Sequence, residues 1–429
     1  MSSPDVIVVG GGAIGAAAAY ELARRGASVS LLERSHGARG CSYGNAGLIC
    51  PSHAEALASS AAIRDGLLWM ARRDSPFHLR PRLALLPWLA RFGAAALPGR
   101  SAAGTATLRA LANASLELHA ALVRSGLPTS FARRGILSVY ESERAFAKAH
   151  RRLPAEAPNA PKPQLLTPEA ARDIEPALAP SLAGAIHHPR EAHCDPGAYV
   201  TALLHASREL GAEIRTGVEI LRLRNSNGRI SALDTTAGPL RAGTVVLAAG
   251  TWTRDLARDV GVQLPLEAAK GYHLELDYQP LQAGIPIYME EARVVATPFG
   301  SRLRLSGTLE LTGLDTRVDP NRLEALERAA RRTLVLPPNA QIVQVWRGLR
   351  PCAPDGLPII GPADGIANLF LATAHAMLGI TLAPVTGEIV ANLINGEQPR
   401  YNIEPFEPSR FRRLRDLFGP HTPPRGGRG

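Results

Sequence analysis

The 429-residue sequence has few cysteines, and their spacing excludes two classes of small module. The four cysteines, Cys41, Cys50, Cys194 and Cys352, are far apart and form no C-x-x-C pair. Neither a zinc module nor a disulfide framework is predicted, because the first needs closely spaced ligands and the second many paired thiols. A reducing cytoplasm is the compartment that this cysteine content favours.

Long apolar runs are also absent. No stretch of 18 uncharged apolar residues occurs, and even the segment LLPWLARFGAAAL contains Arg91. A membrane-spanning helix needs about 20 apolar residues, so no integral membrane segment is predicted. The N-terminus leads directly into DVIVVGGG, and we expect no signal peptide because the basic region and apolar stretch of such a segment are missing.

Aromatic residues and lysines are scarce. Aromatic side chains make up 5% of the chain, and the lysines are Lys148, Lys162 and Lys270, so arginine supplies almost all of the net charge of +10. This charge is compatible with attraction to nucleic acid, an acidic partner or a negative membrane surface. No block of five like charges and no nucleic-acid-binding module is present. We therefore favour a solvated basic surface and predict no nucleic-acid partner.

Hydrophobic residues make up 45% of the chain, and their pattern predicts two kinds of sheet. VIVV, AIGAAAAYELARRG and ASVSLLER read as strand, helix and strand, which is typical of a parallel sheet with right-handed crossovers. Between residues 266 and 311, HLELDY and RLRLSGTLEL alternate in polarity, as strands of a second, antiparallel sheet do. The predicted fold class is α/β, with a Rossmann-like domain and a second α+β domain.

A glycine-rich turn follows the first strand. Gly10, Gly12 and Gly15 have the G-x-G-x-x-G spacing, and the predicted helix opens with Ala13 followed by Ile14. The three glycines permit the turn, the approach of a pyrophosphate and close helix–strand packing, and the helix N-terminus provides N–H groups for phosphate. Glu33, followed by Arg34, ends the second strand, where a carboxylate can accept hydrogen bonds from ribose hydroxyls. These features together predict an adenine dinucleotide, NAD or FAD.

The rest of the chain favours FAD. A further strand–helix unit does not follow at once, since the next segment is ARGCSYGNAGLICPSH and the strand VVLAAG comes only near residue 250. With GGGAIG and Glu33, the segments TGVEILRL, VVLAAGTWT, KGYHLEL, WRGLRPCAPDGLPIIG and LFLATAHAMLGITLAPVTGEIVANLI span nearly the whole chain. The sequence resembles the amino-acid oxidase and dehydrogenase family of FAD flavoproteins, and most closely its D-amino-acid dehydrogenase branch, which includes D-hydroxyproline dehydrogenases.

The resemblance implies a discontinuous FAD-binding domain and noncovalent FAD. The expected domain comprises residues 1–75, 190–262 and 335–400, residues 76–189 and 263–334 would form the substrate domain, and residues 416–429 a disordered tail. The remaining positions implied to line the cofactor are Ser42, Asn45, Ala46, Gly47, Leu48, Val218 (through its backbone), Ala249, Gly250, Trp252, Gly348, Leu378, Gly379, Ile380 and Thr381.

Four residues are candidates for the substrate site. Arg350 in GLRP would bind the substrate carboxylate, because a guanidinium grips it with two hydrogen bonds. Tyr272 would hydrogen-bond the same carboxylate or lie in the core. His53 would accept a proton near the amine or merely close a loop. His375 lies in T-A-H-A, where similar proteins have T-G-H-G.

The implied reaction is oxidation of a D-amino acid, such as D-proline or cis-4-hydroxy-D-proline, with electrons passed to a quinone or another carrier. Two alternatives stay open: an oxidase of glycine, sarcosine or another secondary amine, and an electron-passing subunit of a hetero-oligomeric amine dehydrogenase. Residues 61–92, helical, apolar and basic, resemble an insertion of D-amino-acid dehydrogenases. They suggest either peripheral attachment to the inner membrane face or ordinary core helices.

Overall fold

Two large sheets and the helices around them form the molecule. The computed structural model describes residues 4–36, 40–70, 75–151, 153, 161–241 and 243–411. The strands are β1 Val6–Val9, β2 Val29–Glu33, β3 Leu48–Ile49, β4 Phe77–Leu79, β5 Ile136–Tyr140, β6 Gln164–Leu166, β7 Gly184–His188, β8 Ala192–His193, β9 Glu213–Thr216, β10 Ile220–Ser226, β11 Arg229–Thr235, β12 Gly238–Leu240, β13 Thr244–Leu247, β14 Glu267–Leu276, β15 Ile287–Met289, β16 Val294–Phe299, β17 Arg302–Leu311, β18 Ile342–Cys352, β19 Ile359–Pro362 and β20 Leu369–Thr373. The helices are α1 Ala13–Arg24, α2 Ser60–Met70, α3 Leu86–Ala95, α4 Pro98–Arg124, α5 Glu143–His150, α6 Pro168–Ile174, α7 Pro196–Glu209, α8 Thr253–Arg258, α9 Pro320–Thr333 and α10 Gly379–Ile394.

The first sheet has the order β19-β20-β13-β1-β2-β9. Its strands are parallel except at the edge, where β19 runs antiparallel to β20. All four residues of β1 are buried, as expected of a parallel sheet covered on both faces. The Rossmann-like sheet predicted from the sequence is confirmed.

Different elements cover the two faces of this sheet. Val6 and Val8 face a core formed with α1, α4 and α10, whereas Ile7 and Val9 face a core formed with α8 and the small sheet β10-β11-β12. Small residues allow close packing of the helices: a Cβ on Gly387 of α10 would lie 2.6 Å from the carbonyl oxygen of Ala17. The alanine-rich sequence of α1 therefore brings α10 close to the glycine-rich turn.

The second sheet has the order β18-β14-β17-β16-β15-β5-β7-β6, and β4 pairs with the end of β17. Most neighbours are antiparallel, while β15 with β5 and β4 with β17 are parallel. Helices α6 and α9 cover one face, which carries an apolar core. The other face, here called the inner face, contacts residues 43–46 of the dinucleotide domain.

The domain boundaries differ from the prediction in two places. Strand β18 falls within the segment 335–400 assigned to the FAD-binding domain, yet it pairs with β14 from Glu267 to Leu276 and belongs to the second sheet. Helix α4 falls within the segment 76–189 assigned to the substrate domain, yet it packs on α10 beside the first sheet. In both cases, contacts with elements distant in sequence decide to which domain the element belongs. The predicted tail, 416–429, lies outside the described residues.

Other sequence expectations concern local elements. The predicted helix start at Thr167 is confirmed, because its hydroxyl accepts from the N–H of Ala170 at the beginning of α6. The described residues between positions 61 and 97 include most of α2, all of β4 and all of α3. Within the described ranges, none of the helices has the length and hydropathy needed to cross a bilayer.

Candidate active site

The glycine-rich turn fits the phosphates of a dinucleotide. Gly10 has φ +105°, and a Cβ there would lie 2.6 Å from the carbonyl oxygen of Ala248. A Cβ on Gly15 would lie 1.8 Å from the carbonyl oxygen of Gly10, so only glycine allows α1 to begin this close to the strand. Because glycine has no side chain, the backbone at the start of α1 is uncovered at these positions and presents N–H groups at the positive end of the helix.

Glu33 lies beside this turn. Its Oε2 accepts from the N–H of Gly11 at 2.7 Å, and its Oε1 accepts from the N–H and hydroxyl of Ser35 at 2.9 and 2.6 Å. Among the described residues, Oε2 accepts only the bond from Gly11 and has room for another, which a ribose hydroxyl could donate. The hydroxyl of Ser42 accepts from the N–H of Ala13 at 2.9 Å and so joins residues 40–46 to the start of α1.

Residues predicted for the adenosine end meet near the carboxyl ends of β2 and β13. The guanidinium of Arg34 stacks on the ring of Trp252, 3.7 Å from its centroid. The N–H of Val218 donates to the carbonyl oxygen of Glu33 at 3.0 Å, so its carbonyl is the backbone group left for a ligand. Ala249 and Gly250 follow β13, and the carbonyl oxygen of Gly250 accepts from the hydroxyl of Thr373 at 2.9 Å.

Residues 42–49 connect the glycine-rich turn with the N-terminus of α10. Gly47 has φ +78°, and a Cβ there would lie 2.2 Å from the carbonyl oxygen of Cys194. The amide of Asn45 donates to the carbonyl oxygen of Met377 at 3.3 Å, and the hydroxyl of Thr381 donates to that of Leu48 at 3.0 Å. Leu378, Gly379, Ile380 and Thr381 thus place the positive end of α10 beside this segment.

The inner face of the second sheet holds the same segment from the other side. Arg304 donates to the carbonyl oxygens of Tyr43 and Asn45 at 3.0 and 2.8 Å, and Thr297 donates to that of Ala46 at 2.8 Å. His273 Nδ1 lies 3.1 Å from the carbonyl oxygen of Gly44. Sequence reasoning missed these contacts. Alternation along β14, β16 and β17 was a usable signal, because it places all three side chains on one face.

Arg350 lies on the inner face. Its Nη1 donates to the carbonyl oxygen of Thr308 at 2.7 Å, and a Cβ on Gly271 would lie 2.1 Å from Nη2. Burial lowers the pKa of Arg350 from its ordinary value. Arg350 is half-buried, and among the described residues no carboxylate lies within ion-pair distance of its guanidinium. An anionic ligand would supply the missing partner.

Gly348, which was predicted to line the cofactor, and two cysteines, Cys41 and Cys352, also lie near Arg350. Gly348 makes room for the ring of Trp346, because a Cβ there would lie 2.0 Å from it. Trp346 in turn stacks on His273, with ring centroids 5.2 Å apart. Burial raises the pKa of Cys352 to about 12 and also raises that of Cys41, so both thiols are neutral near pH 7.

Tyr272 does not share this position. Its hydroxyl donates to Glu310 Oε2 at 2.9 Å, and its ring lies in the apolar core under α9. Residues 271 and 272 point to opposite faces of β14, so Tyr272 points away from Arg350. The structure therefore favours the alternative that the sequence left open, a core tyrosine.

His375 is likewise directed away from Arg350. Its Nε2 lies 2.9 Å from the hydroxyl of Thr386 on α10, and burial lowers the pKa of His375 to about 3, so the ring is neutral. The flanking Ala374 and Ala376 have φ +64° and +46°, the left-handed conformation that glycine would adopt without strain. The backbone expected of T-G-H-G is thus kept by T-A-H-A, and His375 connects β20 to α10 instead of facing a substrate.

His53 forms a pair with Glu290. The distance from His53 Nε2 to Glu290 Oε1 is 3.3 Å, and His53 Nδ1 lies 2.9 Å from the hydroxyl of Ser52. Burial alone would lower the pKa of His53, but the carboxylates of Glu290, Glu191 and Glu55 together outweigh burial and raise it. Both ring nitrogens have partners, so His53 is not poised to take a proton from a ligand.

Tyr288 lies on the inner face of the second sheet. Its ring is 4.8 Å from that of His53, and its register places it opposite Val295 and Ser138. Arg350 and Tyr288 are close enough to interact electrostatically. The sequence IPIYMEE contained a signal for this position, because alternation puts Tyr288 on the face opposite to the buried Ile287 and Met289.

Comparisons with known proteins agree with this geometry. The family model described as DAO, FAD dependent oxidoreductase, matches residues 5–393. A D-amino acid dehydrogenase of Paramagnetospirillum magneticum is 33% identical over 417 residues, which cover 95% of this chain and 98% of that protein. A D-amino acid dehydrogenase of Methylobacterium sp. (strain 4-46) is 31% identical over 418 residues, 95% of this chain and 99% of that protein.

Solved structures show the same architecture. Glycine oxidase from Geobacillus kaustophilus has a TM-score of 0.74 and 27% identity, with 96% of this chain and 99% of that chain covered. L-proline dehydrogenase from P. horikoshii has the same TM-score at 20% identity, covering 96% and 99% of the two chains, and supports the fold alone.

Proposed function

The chain belongs to the DAO family of FAD dependent oxidoreductases, and from this membership we propose that it oxidises a D-amino acid at Cα to the imine. The observation that carries the proposal is Arg350, a half-buried guanidinium with no carboxylate partner among the described residues. An amino-acid carboxylate is the ligand that such a group binds best.

The residues present fit FAD, which we propose is bound without a covalent link. The bare backbone at Gly10 and Gly15, the carboxylate of Glu33 and the stacked pair Arg34 and Trp252 would hold the dinucleotide. The start of α10 would lie near the flavin, where its N–H groups favour negative charge. Bound FAD supplies an acceptor for the hydride that leaves Cα.

Arg350 would orient the substrate. With Nη1 held by the carbonyl oxygen of Thr308, the other N–H groups of the guanidinium remain for a carboxylate. Tyr288, on the same face, is the tyrosine placed to contact the same ligand, in the role first considered for Tyr272. Fixing the carboxylate orients Cα–H, and orientation of this kind can contribute several kcal/mol to a rate.

No general base is assigned. Both ring nitrogens of His53 have protein partners, and His375 is bound to Thr386. The amine is therefore proposed to enter the reaction in its neutral form, so that loss of hydride from Cα gives the protonated imine directly, and the chain contributes orientation and no proton transfer to this step.

The surroundings of Tyr288 support a compact substrate such as D-proline or cis-4-hydroxy-D-proline. Leu48, Cys50, Ile136 and Val295 form a small apolar cluster beside it. His53 and Ser138 add hydrogen-bonding groups at the same place. Apolar walls with few polar groups suit a small ring that carries one hydroxyl.

The test is anaerobic reduction of the visible flavin spectrum by a panel of D- and L-amino acids, proline isomers, glycine and sarcosine. Bleaching by D-amino acids, with slow recovery in air and fast recovery with a quinone or dye, is the expected result. Bleaching by glycine or sarcosine with fast recovery in air would favour the oxidase alternative. Bound FAD that no amine reduces would overturn the proposal and favour the electron-passing subunit. Acid precipitation should release the FAD if it is noncovalent.

We also propose that electrons leave to a quinone at a membrane surface. Leu67 and Leu68 on α2 and Leu83, Leu86 and Leu97 around α3 are between 55% and 86% exposed. Arg64 and Arg80 lie on the same segments with side chains 57% and 59% exposed. Exposed leucines among arginines suit attachment to anionic lipid.

Cosedimentation with vesicles tests the membrane proposal. The protein should bind vesicles that contain anionic phospholipid more than purely zwitterionic ones, and Leu67→Ser with Leu68→Ser should reduce binding. Leu221→Ser is the control, because Leu221 is 61% exposed on β10, outside the leucine-rich segments. Equal binding of both variants and the wild type would exclude these leucines as the contact.

A further inference from the structure

The carbonyl that holds Arg350 belongs to a residue with an unusual backbone. Thr308 has φ +67°, the left-handed region that a β-branched residue rarely adopts. A conformation of this kind is strained and persists only where neighbouring contacts impose it. The strained residue directly contacts Arg350, the proposed carboxylate-binding residue, so the contacts that impose the strain also bear on the proposed site.

The strain coincides with a bulge in β17. Lys270 pairs with Glu310 and Tyr272 pairs with Gly307, so three steps along β17 match two along β14. An extra residue in one strand breaks the ladder and redirects the backbone locally. The carbonyl oxygen of Thr308, which lies in this bulge, accepts from a side chain on the inner face, Arg350 Nη1.

Contacts on the face of the second sheet that α9 covers hold both ends of the bulge. Glu310, 3% exposed, accepts from Tyr272 at 2.9 Å and lies 3.1 Å from Lys270 Nζ and 3.0 Å from Arg322 Nε. These three partners connect β17 to β14 and to α9. A carboxylate with two cations and a hydroxyl is a strong anchor, because each partner loses its main counter-charge or acceptor if Glu310 moves.

The other end of the bulge is held by shape. A Cβ on Gly307 would lie 2.7 Å from Leu326 Cδ2 of α9 and 3.1 Å from the carbonyl oxygen of Arg293. The backbone therefore packs directly on α9 just before Thr308. Between this contact and Glu310, the one additional residue of β17 has to turn its backbone toward the inner face.

We propose that the bulge, anchored by Glu310, is a positioning device that aims Arg350 at the substrate carboxylate. Thr308 and Glu310 are positioning residues, since Thr308 acts through its carbonyl on Arg350 and Glu310 acts through the bulge. This inference rests on the proposed role of Arg350, and it adds that carboxylate affinity is set from the face opposite to the site.

A pair of substitutions at Thr308 tests the device. Proline fixes φ near −65° and cannot keep the left-handed turn, whereas glycine adopts it freely. Thr308→Pro should raise the Kd for benzoate, measured by the change in flavin absorption, and the KM for the best amino acid by about tenfold or more, with a smaller change in the limiting rate of flavin reduction. Thr308→Gly should stay within about threefold of the wild type.

Glu310→Gln tests the anchor if the proline variant does not fold. It should raise the benzoate Kd by about three- to tenfold while FAD stays bound. The matched control is Glu175→Gln, because Glu175 is also fully buried and accepts backbone hydrogen bonds, from Ala177, Gln282 and Ala283, on the α6 side of the sheet. Glu175→Gln should lower Tm without raising the benzoate Kd.

The outcomes separate this inference from the proposed function. Folded, FAD-loaded Thr308→Pro and Glu310→Gln variants with wild-type benzoate affinity would overturn the positioning role. An equal rise in Kd for Glu175→Gln would also overturn it, by showing a general effect of lost stability. A wild-type protein that binds benzoate through Arg350 but is reduced by no amino acid would overturn the proposed reaction and leave the device standing.

Discussion

Arg350 is the residue on which the proposed chemistry most depends. Replacement by lysine keeps a positive charge but loses the planar fork that donates two parallel hydrogen bonds. We expect Arg350→Lys to raise the KM for the best amino acid by about 100-fold, which corresponds to roughly 2.7 kcal/mol. Steady-state kinetics with a dye acceptor would measure this.

Arg347→Lys is the matched control, since Arg347 lies on the same strand, is also half-buried and donates to the carbonyl oxygen of Thr316. Its KM should change by less than about threefold. A similar loss in both variants would mean that charge on β18 matters more than the geometry of one guanidinium.

His53 predicts a dependence of stability on pH. Its raised pKa means that the pair with Glu290 stabilises the fold fully below the ordinary value of 6.5 and loses this effect as pH rises through the folded-state pKa. The Tm difference between the wild type and His53→Gln should therefore shrink as pH rises above 6.5. Glu191, Glu55 and His188 also interact with these groups and are present in both proteins.

Thermal unfolding from pH 6 to 9 measures this difference, with Glu290→Gln as the partner variant. The Tm difference from the wild type should shrink with rising pH for both substitutions, because each removes the same pair. A difference between wild type and His53→Gln that does not vary with pH would contradict the assignment.

At this scale the sequence identified residues whose chemistry alone indicates a role. Gly10, Gly15 and Glu33 lie where the dinucleotide motif places them. The sequence could not decide the roles of Tyr272 and His375, because a residue type does not say which way a side chain points. Strand alternation directs Tyr272 to Glu310, and a left-handed turn directs His375 to Thr386.

The connection between β20 and α10 is an element under local strain. Ala374 and Ala376 both have positive φ, which costs an alanine about 1 to 2 kcal/mol relative to glycine. Ala374→Gly and Ala376→Gly should each raise Tm by about 1 to 3 °C, since relief of strain exceeds the added freedom of the unfolded chain.

Differential scanning calorimetry of the two variants would detect this gain. Ala372→Gly is the control, because Ala372 lies in regular β20, paired with Ile360, where glycine weakens a strand. The control should lose stability. If all three variants lost stability, the alanines would not be strained.

Strand β14 gives a second prediction at this scale. A methyl group at position 271 would overlap Nη2 of Arg350, so Gly271→Ala should displace the guanidinium. We expect a KM increase of at least about tenfold with FAD content unchanged. Gly93→Ala on α3, where a Cβ would meet no atom within 4 Å, should leave kinetics and FAD content unaltered.

Helices were easier to predict than strand partners. Thr167 before Pro168 carries a capping signal within four residues, and the structure places α6 there. The partner of β18 is β14, whose position no local signal reports. The sequence therefore revealed that a second sheet exists and which segment forms its centre, but not that β5, β6 and β7 extend it.

For the whole molecule, FAD should act as a connector. Gly10, Ser42, Trp252 and Thr381 come from segments distant in sequence, and all lie where the dinucleotide is proposed to bind. Removing FAD should lower Tm, and added FAD should restore it in a concentration-dependent way. Thermal scans of stripped and reloaded protein would measure this shift.

Riboflavin is the informative control, because it lacks the adenosine and phosphates that Glu33, Arg34 and the α1 turn would bind. It should restore Tm much less than FAD at the same concentration. Equal restoration by riboflavin would mean that the flavin end alone joins the segments.

The order in which the elements of the first sheet occur along the chain has a consequence for protein synthesis. Val6 of β1 pairs with Thr244 of β13, and α10, which covers the sheet, begins only at Gly379. A ribosome adding about 5 to 20 residues per second makes β13 roughly 10 to 50 s after β1. During that interval the apolar edge of β1 emerges before its partner, and it needs a chaperone or a transient contact within the nascent chain.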